Sequence, residues 1–257
     1  DNNSIKCNID IADENKVKEI IKNEMLEIKR KYADPRRTDI IDSEEEIDIE
    51  DLIERHECVI TLTNSGYIKR LPAETYSAQH RGGKGLIAMA TKEEDFIEKV
   101  LCANSHDYLL MFTDSGKIFV RKVYRIPEAS RTAKGSNLIN LIEIEKGEKV
   151  TAMISISEFA EDTYLTMVTQ NGVIKRTNIK EYEYQRKGGK IAINLDEGDK
   201  LIFVGHTDGE KHILIGTKKG YAARFHENKV SIVGRTARGV RGIDLREGDI
   251  VCGAVIV

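Results

Sequence analysis

The chain has 257 residues, 40% of them hydrophobic, which is enough for a sizeable core, and it lacks the run of 18 apolar residues that a membrane-spanning helix needs. The net charge of −3 conceals a split, since residues 1–58 carry 10 Lys and Arg against 18 Asp and Glu, whereas residues 59–257 carry 30 against 25. A basic body behind an acidic segment favours a polyanionic partner for the body. The four cysteines form no C-x-x-C pair, which argues against a zinc motif and favours reduced thiols in a cytosolic protein.

Residues 13–33 are predicted to form a helix, because Ile21, Met25, Ile28 and Tyr32 share one face at helical spacing. Pro35 ends this helix, and a polar linker follows. Residues 42–51 are strongly acidic. Two interpretations stay open for them: a solvated linker, or an element that packs on the basic body and shields it. The polar start and the absence of a leading Met favour a fragment without a signal peptide.

From Cys58 onward the sequence predicts an all-β region built on a repeated turn. The pattern T-x-x-G occurs at residues 63–66, 113–116, 169–172 and 217–220. Each copy follows a short apolar run and precedes β-branched or aromatic residues, which is typical of a β-hairpin whose glycine supplies the positive φ of the turn.

Cations recur at fixed distances after each turn glycine. Fifteen residues on, the chain has Arg81, Arg131, Lys187 and Arg235, and eighteen residues on it has Lys84, Lys134, Lys190 and Arg238. Lys and Arg fill 40 of 257 positions, so eight cations in eight positions arise by chance with a probability below roughly one in a million. The sequence therefore predicts four basic loops in the same register.

A third repeated element, Gly followed by Asp or Glu, begins at Gly147, Gly198 and Gly248 and leads into an apolar run. The turn glycines are 50, 56 and 48 residues apart. Short strands with a period near 50 residues indicate propeller blades rather than helical repeats. A disc of such blades places equivalent loops on one rim.

The basic loops favour phosphate-backbone binding over catalysis. A nucleotide-binding P-loop needs Ser or Thr after its Lys, whereas Gly85 follows Lys84. The six histidines form no metal-binding motif. A band of cations with few aromatic residues suits duplex DNA contacted without sequence preference rather than single strands stacked on rings. Ordinary solvated loops are the alternative for any one copy.

Further cations follow the turns or lie beside the basic loops, and we include them in the predicted DNA-binding band. These are Lys69, Arg70, Arg121, Lys122, Lys175, Arg176, Arg186, Arg224 and Arg241.

The first basic loop resembles the signature box of the gyrase A subunit family. The box consists of Gln79, His80, Arg81, Gly82, Gly83, Lys84 and Gly85. His80 stands where the family usually has Arg or Lys. Residues 14–41 also resemble the last helix of the family's breakage-reunion domain and its exit, so the resemblance covers nearly the whole chain.

The resemblance implies a β-pinwheel, a propeller-like disc whose rim wraps duplex DNA with positive writhe, so that the ATP-driven type IIA topoisomerase introduces negative supercoils. It implies residues 1–41 as helix and exit, 42–57 as acidic linker and 58–257 as pinwheel. The resemblance also implies an enzyme assembled from two A and two B subunits in the bacterial cytoplasm, at the nucleoid. The catalytic centre, ATP and magnesium lie outside this chain, which we expect to need no cofactor and no membrane.

Two rivals remain at this stage. The A-type subunit of topoisomerase IV has a related disc but lacks an intact first-blade box, so residues 79–85 favour gyrase. A protein-interaction propeller predicts a mixed or hydrophobic rim rather than cations in every blade. The family usually has about six blades, whereas four repeats are visible here, and we therefore expect the last blades to be missing.

Overall fold

The computed structural model describes residues 14–34, 49–75, 95–184 and 186–257 of the chain. The chain divides into two compact units, residues 1–47 and residues 48–257. In the first unit, helix α1 spans Glu14–Tyr32, as the sequence predicts, and its apolar stripe is exposed. Residues 49–57, which end the predicted acidic linker of residues 42–57, belong to the second unit together with the repeats.

The second unit is built from fifteen strands and short 3-10 turns in the described residues, in agreement with the predicted all-β repeat region. The strands are β1 (Glu57–Thr63), β2 (Tyr67–Pro72), β3 (Ile97–Asn104), β4 (Tyr108–Thr113), β5 (Lys117–Lys122), β6 (Ser136–Asn137), β7 (Val150–Ile156), β8 (Tyr164–Thr169), β9 (Val173–Asn178), β10 (Lys190–Ile191), β11 (Leu201–Thr207), β12 (His212–Thr217), β13 (Ala222–His226), β14 (Val240–Arg241) and β15 (Val251–Ile256). The 3-10 turns are Ile49–Leu52, Ala73–Thr75, Val123–Arg125, Leu138–Asn140, Ile179–Tyr182 and Glu227–Lys229.

The strands form four antiparallel sheets, which we number as blades 1 to 4 in chain order. Their strand orders are β3-β1-β2-β6, β7-β4-β5-β10, β11-β8-β9-β14 and β15-β12-β13. Two adjacent strands of every blade are a T-x-x-G hairpin. The short strands β6, β10 and β14 come from the following repeat and pair with the second strand of the preceding hairpin. Each repeat is thereby tied to its predecessor.

The long strands β3, β7, β11 and β15 contact one another in chain order. These strands are therefore the inner edges of the blades, and the short exchanged strands β6, β10 and β14 are the outer edges. Three apolar clusters lie between successive blades, around Phe119, Phe112 and Ile213 respectively. Burial of such side chains, at about 2 kcal/mol each, holds neighbouring blades together.

The turn pattern has a direct physical explanation. The four turn glycines have φ between +80° and +85°, the left-handed region that favours glycine. In each turn the threonine hydroxyl accepts a hydrogen bond of 3.2 Å from the backbone N–H of the residue after the glycine. The sequence T-x-x-G therefore encodes a capped hairpin at the same place in every blade.

The third repeated element closes the same turn from the other side, and in blade 1 Asp95 takes its place although no glycine precedes it. The carboxylates of Asp95, Asp199 and Asp249 each accept the N–H of a turn residue, at 3.0, 2.9 and 3.0 Å. Desolvation acts to raise the pKa of Asp249, but hydrogen bonds from Thr217, Lys219 and Ile250 outweigh it and leave this pKa below its ordinary value. The acidic residue thus ties the start of the inner strand to the hairpin.

Candidate nucleic-acid interface

Three of the four predicted basic loops lie in the described residues, and each leads directly into an outer-edge strand. Arg131 and Lys134 precede β6, Arg186 and Lys187 precede β10, and Arg235 and Arg238 precede β14. The residues of the first-blade box, 79–85, lie outside the described residues. The exchanged strand thus carries each described basic loop to the outer edge of the preceding blade.

The predicted DNA-binding cations fall into three groups by exposure. Arg186, Lys187, Arg224, Arg238 and Arg241 are exposed. Arg121, Lys122, Arg131, Lys134, Lys190 and Arg235 are half-buried. Lys69, Arg70, Lys175 and Arg176 are buried. The first two groups can meet a phosphate, and the third cannot do so in this conformation.

Lys69 and Lys175 are both 0% exposed, so neither ammonium can reach a phosphate in this conformation, which argues against the predicted direct contact with DNA. Both follow the turn glycine by three residues and point into the packing between a hairpin and the next basic loop. The Lys69 Nζ donates to the backbone carbonyls of Ser130, Arg131 and Ala133, at 3.1, 2.6 and 3.0 Å. These lysines are part of the loop framework.

Arg70 and Arg176 are likewise buried in polar networks, which argues against their predicted role as direct DNA contacts. The Arg70 Nε donates to the Ile126 carbonyl at 3.3 Å, and its guanidinium lies 3.1 Å from His56 Nε2. The Arg176 guanidinium pairs with Glu227, a fully buried carboxylate, at 3.4 Å. Both networks engage the guanidinium within the protein, although the buried Arg176 Nε has no hydrogen-bond partner among the described residues.

Lys122 is held by the acidic segment. Its ammonium lies 2.7 Å from Glu50, donates to the His106 carbonyl at 3.0 Å and sits over the Tyr108 ring. Desolvation acts to lower the pKa of Lys122, but the bond to Glu50 helps to raise it above its ordinary value. Glu50 of the acidic segment therefore packs on the repeats and forms an ion pair with Lys122, a predicted DNA-binding cation.

The third basic loop departs from the predicted register. Gly135 and Gly239 follow their turn glycines by nineteen residues, whereas the equivalent Gly189 follows by seventeen. All three glycines have positive φ and precede the outer-edge strand directly. Lys190 therefore lies within its outer strand, where the other loops have Ser136 and Val240. The cation spacing is the same in all copies, but the backbone positions are not.

The exposed cations make only surface contacts. Arg238 pairs with Asp196 at 2.8 Å, and Arg241 pairs with Asp244 at 2.7 Å. Lys187, with its side chain 87% exposed, lies 3.8 Å from Glu143. Such surface pairs contribute about 0–1 kcal/mol, so a phosphate can replace the carboxylate at little cost.

Two residues of this surface are missing from the sequence prediction. Tyr184 is 71% exposed, with Arg186 and Lys190 at 6.0 and 5.2 Å from its ring centre. Arg125 is exposed beside Arg121, and this proximity helps to lower the pKa of Arg121 after the larger effect of desolvation. Neither residue belongs to the repeated pattern, which is why a search for repeats passes over both.

Other classes of site find no support in the part of the chain that the structure describes. There, no group of three or more His, Cys, Asp and Glu side chains is placed to hold a metal ion. None of the described helices is long and apolar enough to cross a membrane.

These observations define the class of protein as a propeller-like β-repeat domain with cationic loops along its outer edge. A family model described as "DNA gyrase C-terminal domain, beta-propeller" matches four segments, residues 59–104, 107–157, 163–208 and 211–257. The chain therefore belongs to the DNA gyrase C-terminal domain family. The predicted resemblance to the gyrase A subunit family is confirmed, and so is the propeller-like fold.

Individual relatives agree with this assignment. The chain is 50% identical over 232 residues to the gyrase A protein of Clostridium acetobutylicum, a match that covers 90% of the chain and 28% of that relative. The solved C-terminal domain of DNA topoisomerase IV gives a TM-score of 0.68 at 32% identity, over 80% of this chain and 62% of that one. The solved DNA gyrase A C-terminal domain gives 0.64 at 30% identity, over 79% and 65%.

Proposed function

We propose that the outer edge of this domain binds duplex DNA without sequence preference and wraps it with positive writhe. The observation that carries the proposal is the placement of exposed or half-buried cations directly before the outer strands of three successive blades. Because the exchanged strands repeat from blade to blade, the cations repeat along one edge. A regular series of cations matches the regular series of phosphates on a duplex.

The chemistry of the edge favours backbone contacts over base reading. Guanidinium groups such as those of Arg131, Arg235 and Arg238 bind phosphate oxygens through a planar fork of donors. Contacts of this kind position DNA without reading its sequence. Any preference then arises from how easily a given sequence bends around the edge.

The wider role follows from the family. We infer that the domain serves a DNA gyrase of two A and two B subunits in the bacterial cytoplasm, where ATP-driven strand passage converts the wrap into negative supercoils. ATP and magnesium bind elsewhere in that enzyme. The first-blade box, residues 79–85, is proposed to make the wrap productive, and Arg81 and Lys84 are its phosphate-binding cations.

An equilibrium binding experiment tests the interface. The variant R131A/R235A/R238A removes three outer-edge cations, and K146A/K149A/K200A removes three exposed cations that lie just before inner strands. The proposal predicts steep salt dependence for the wild-type chain and for the inner-strand control. The outer-edge variant loses roughly 2.7 from the log–log salt slope, at about 0.9 per phosphate contact. Equal slopes for all three proteins would overturn the proposed interface.

The alternative is the C-terminal domain of the A-type chain of topoisomerase IV, which the TM-score of 0.68 keeps in view. The two differ in what the box does. In the holoenzyme, alanine replacement of residues 79–85 abolishes supercoiling and spares relaxation if the domain serves gyrase. Unchanged supercoiling would contradict the proposed role of the box, a wild-type holoenzyme that relaxes DNA without supercoiling it would favour a topoisomerase IV role, and equal loss of both activities would indicate misfolding.

A further inference from the structure

Lys69 and Lys175 occupy the same position in blades 1 and 3, three residues after the turn glycine on the second hairpin strand. Both are completely buried. The hydrogen-bond partners of both ammonium groups among the described residues are backbone carbonyls. Burial of an ammonium without a carboxylate is costly unless its donors are satisfied. The presence of two such buried lysines therefore calls for an explanation.

The ammonium of each lysine donates to the backbone of the next basic loop, and that of Lys175 also donates to Ala192, which follows β10. The Lys69 Nζ binds three carbonyls within residues 130–133, including that of Arg131 at 2.6 Å. The Lys175 Nζ binds the carbonyl of Arg235 and, at 2.7 Å, that of Ala192. In each case the buried lysine of one repeat grips the very residue whose side chain the next repeat offers at the outer edge.

We propose that Lys69 and Lys175 are positioning residues that hold the loop backbones of Arg131 and Arg235 so that these arginines are preorganised for DNA phosphates. The inference rests on the proposed function. We call the pair the lysine clamps. A loop fixed in its bound geometry loses less conformational entropy when the ligand arrives, so the clamps raise affinity without touching DNA.

Blade 2 supports this assignment by contrast. Phe119 stands at the clamp position and is fully buried. The basic loop that packs on it belongs to the third repeat and is two residues shorter, up to Gly189, than the equivalent loops. A Cβ at Gly189 would lie 2.7 Å from the Phe119 ring, so this loop packs directly on the ring. A short loop seated on an aromatic ring needs no ammonium. The two longer loops, with more backbone to restrain, are the ones that receive a lysine.

Double-mutant cycles on the 257-residue chain test the clamps. One phosphate contact is worth roughly 8-fold in affinity at about 0.1 M salt, given a slope of about 0.9 per contact. R131A should therefore weaken duplex binding roughly 8-fold, and K69M should weaken it by up to that amount. K69M/R131A should bind no more weakly than R131A alone, because the loop no longer presents an arginine.

The matched control is the other loop. The fold-losses of DNA affinity caused by K69M and R235A should multiply in the double variant. Those of K175M and R131A should also multiply, whereas K175M should cause no further loss when R235A is already present. A clamp that served only global stability would multiply with both arginine variants, as would a lysine that contacted DNA directly. Either result overturns the proposal.

Folding is checked by circular dichroism before each measurement. If K69M does not fold, the cycle is run with K69Q, whose amide can still donate to two carbonyls, and with K175M. A lysine variant whose loss of affinity multiplies with both arginine variants counts against the clamps in these cycles too. If the wild-type chain shows no salt-dependent duplex binding, the proposed function fails and the clamps fail with it. If it binds while the cycles are multiplicative, only the clamps fail.

Discussion

Replacement of Gly135 by alanine isolates the close contact between a basic loop and the preceding blade. Gly135 has φ +83°, and a Cβ there would lie 2.6 Å from the Ile68 carbonyl oxygen and 3.0 Å from the Lys69 Cβ. Gly147 has φ +92° and open space around the same position, so it is a control for backbone strain alone. Left-handed strain costs about 1 kcal/mol, and the added clash costs about 2 kcal/mol.

Urea unfolding of the two variants and the wild type, followed by far-ultraviolet circular dichroism, measures the difference. We expect G147A to lower the free energy of unfolding by about 1 kcal/mol and G135A by about 3 kcal/mol. G135A should also weaken DNA binding, because the loop can no longer lie against β2 and Lys69. Equal costs for the two variants would refute the close packing of this loop on blade 1.

Three further predictions concern buried charge. Desolvation, with a smaller effect of Arg235, lowers the pKa of Lys175 from its ordinary 10.5 to about 8. Between these two pH values the unfolded state therefore binds the proton more tightly than the folded state. Urea unfolding should therefore show the stability of the wild type rising relative to K175M through that window, and a constant difference below it. D249N should destabilise the chain at neutral pH, and this cost should shrink as pH falls below 3.8, because the folded pKa of Asp249 lies under that value; an unchanged cost in acid would contradict the hydrogen-bonded carboxylate. R176M, which leaves Glu227 buried without its guanidinium, should cost about 3 kcal/mol, and R176M/E227M should recover part of it; full additivity would argue against the pair.

Local chemistry made the repeats predictable. The T-x-x-G turns and the acidic residues of the third element act on neighbouring backbone, so their pattern is visible in the sequence. The outer-edge position of the basic loops also follows once the repeats are read as blades. These features depend on residues close in the chain or on the repeat itself.

The burial of particular cations could not be predicted in the same way. Lys69 lies three residues after its turn glycine and is covered by residues 130–133 of the next repeat, whereas Arg121 lies five residues after its own turn glycine and is half-buried. The enclosed lysines share an offset of three residues from the turn glycine, but only the strand exchange between repeats shows that this position is covered.

The third loop illustrates a different limit. Its cations Lys187 and Lys190 keep the predicted spacing, although the loop is two residues shorter up to Gly189. Counting residues conceals such a shift, since several cations lie close together there. The roles of the first-blade residues 79–85 stay predictions, because these residues lie outside the described part of the chain.

The central claim is that DNA wraps around the outer edge, and DNA topology measures this directly. The chain is bound to nicked circular DNA, the nick is ligated, the protein is removed and the linking number is determined. We predict a positive shift for the wild type and for K146A/K149A/K200A, and none for R131A/R235A/R238A. No shift with the wild type, or an equal shift with the outer-edge variant, would contradict the account.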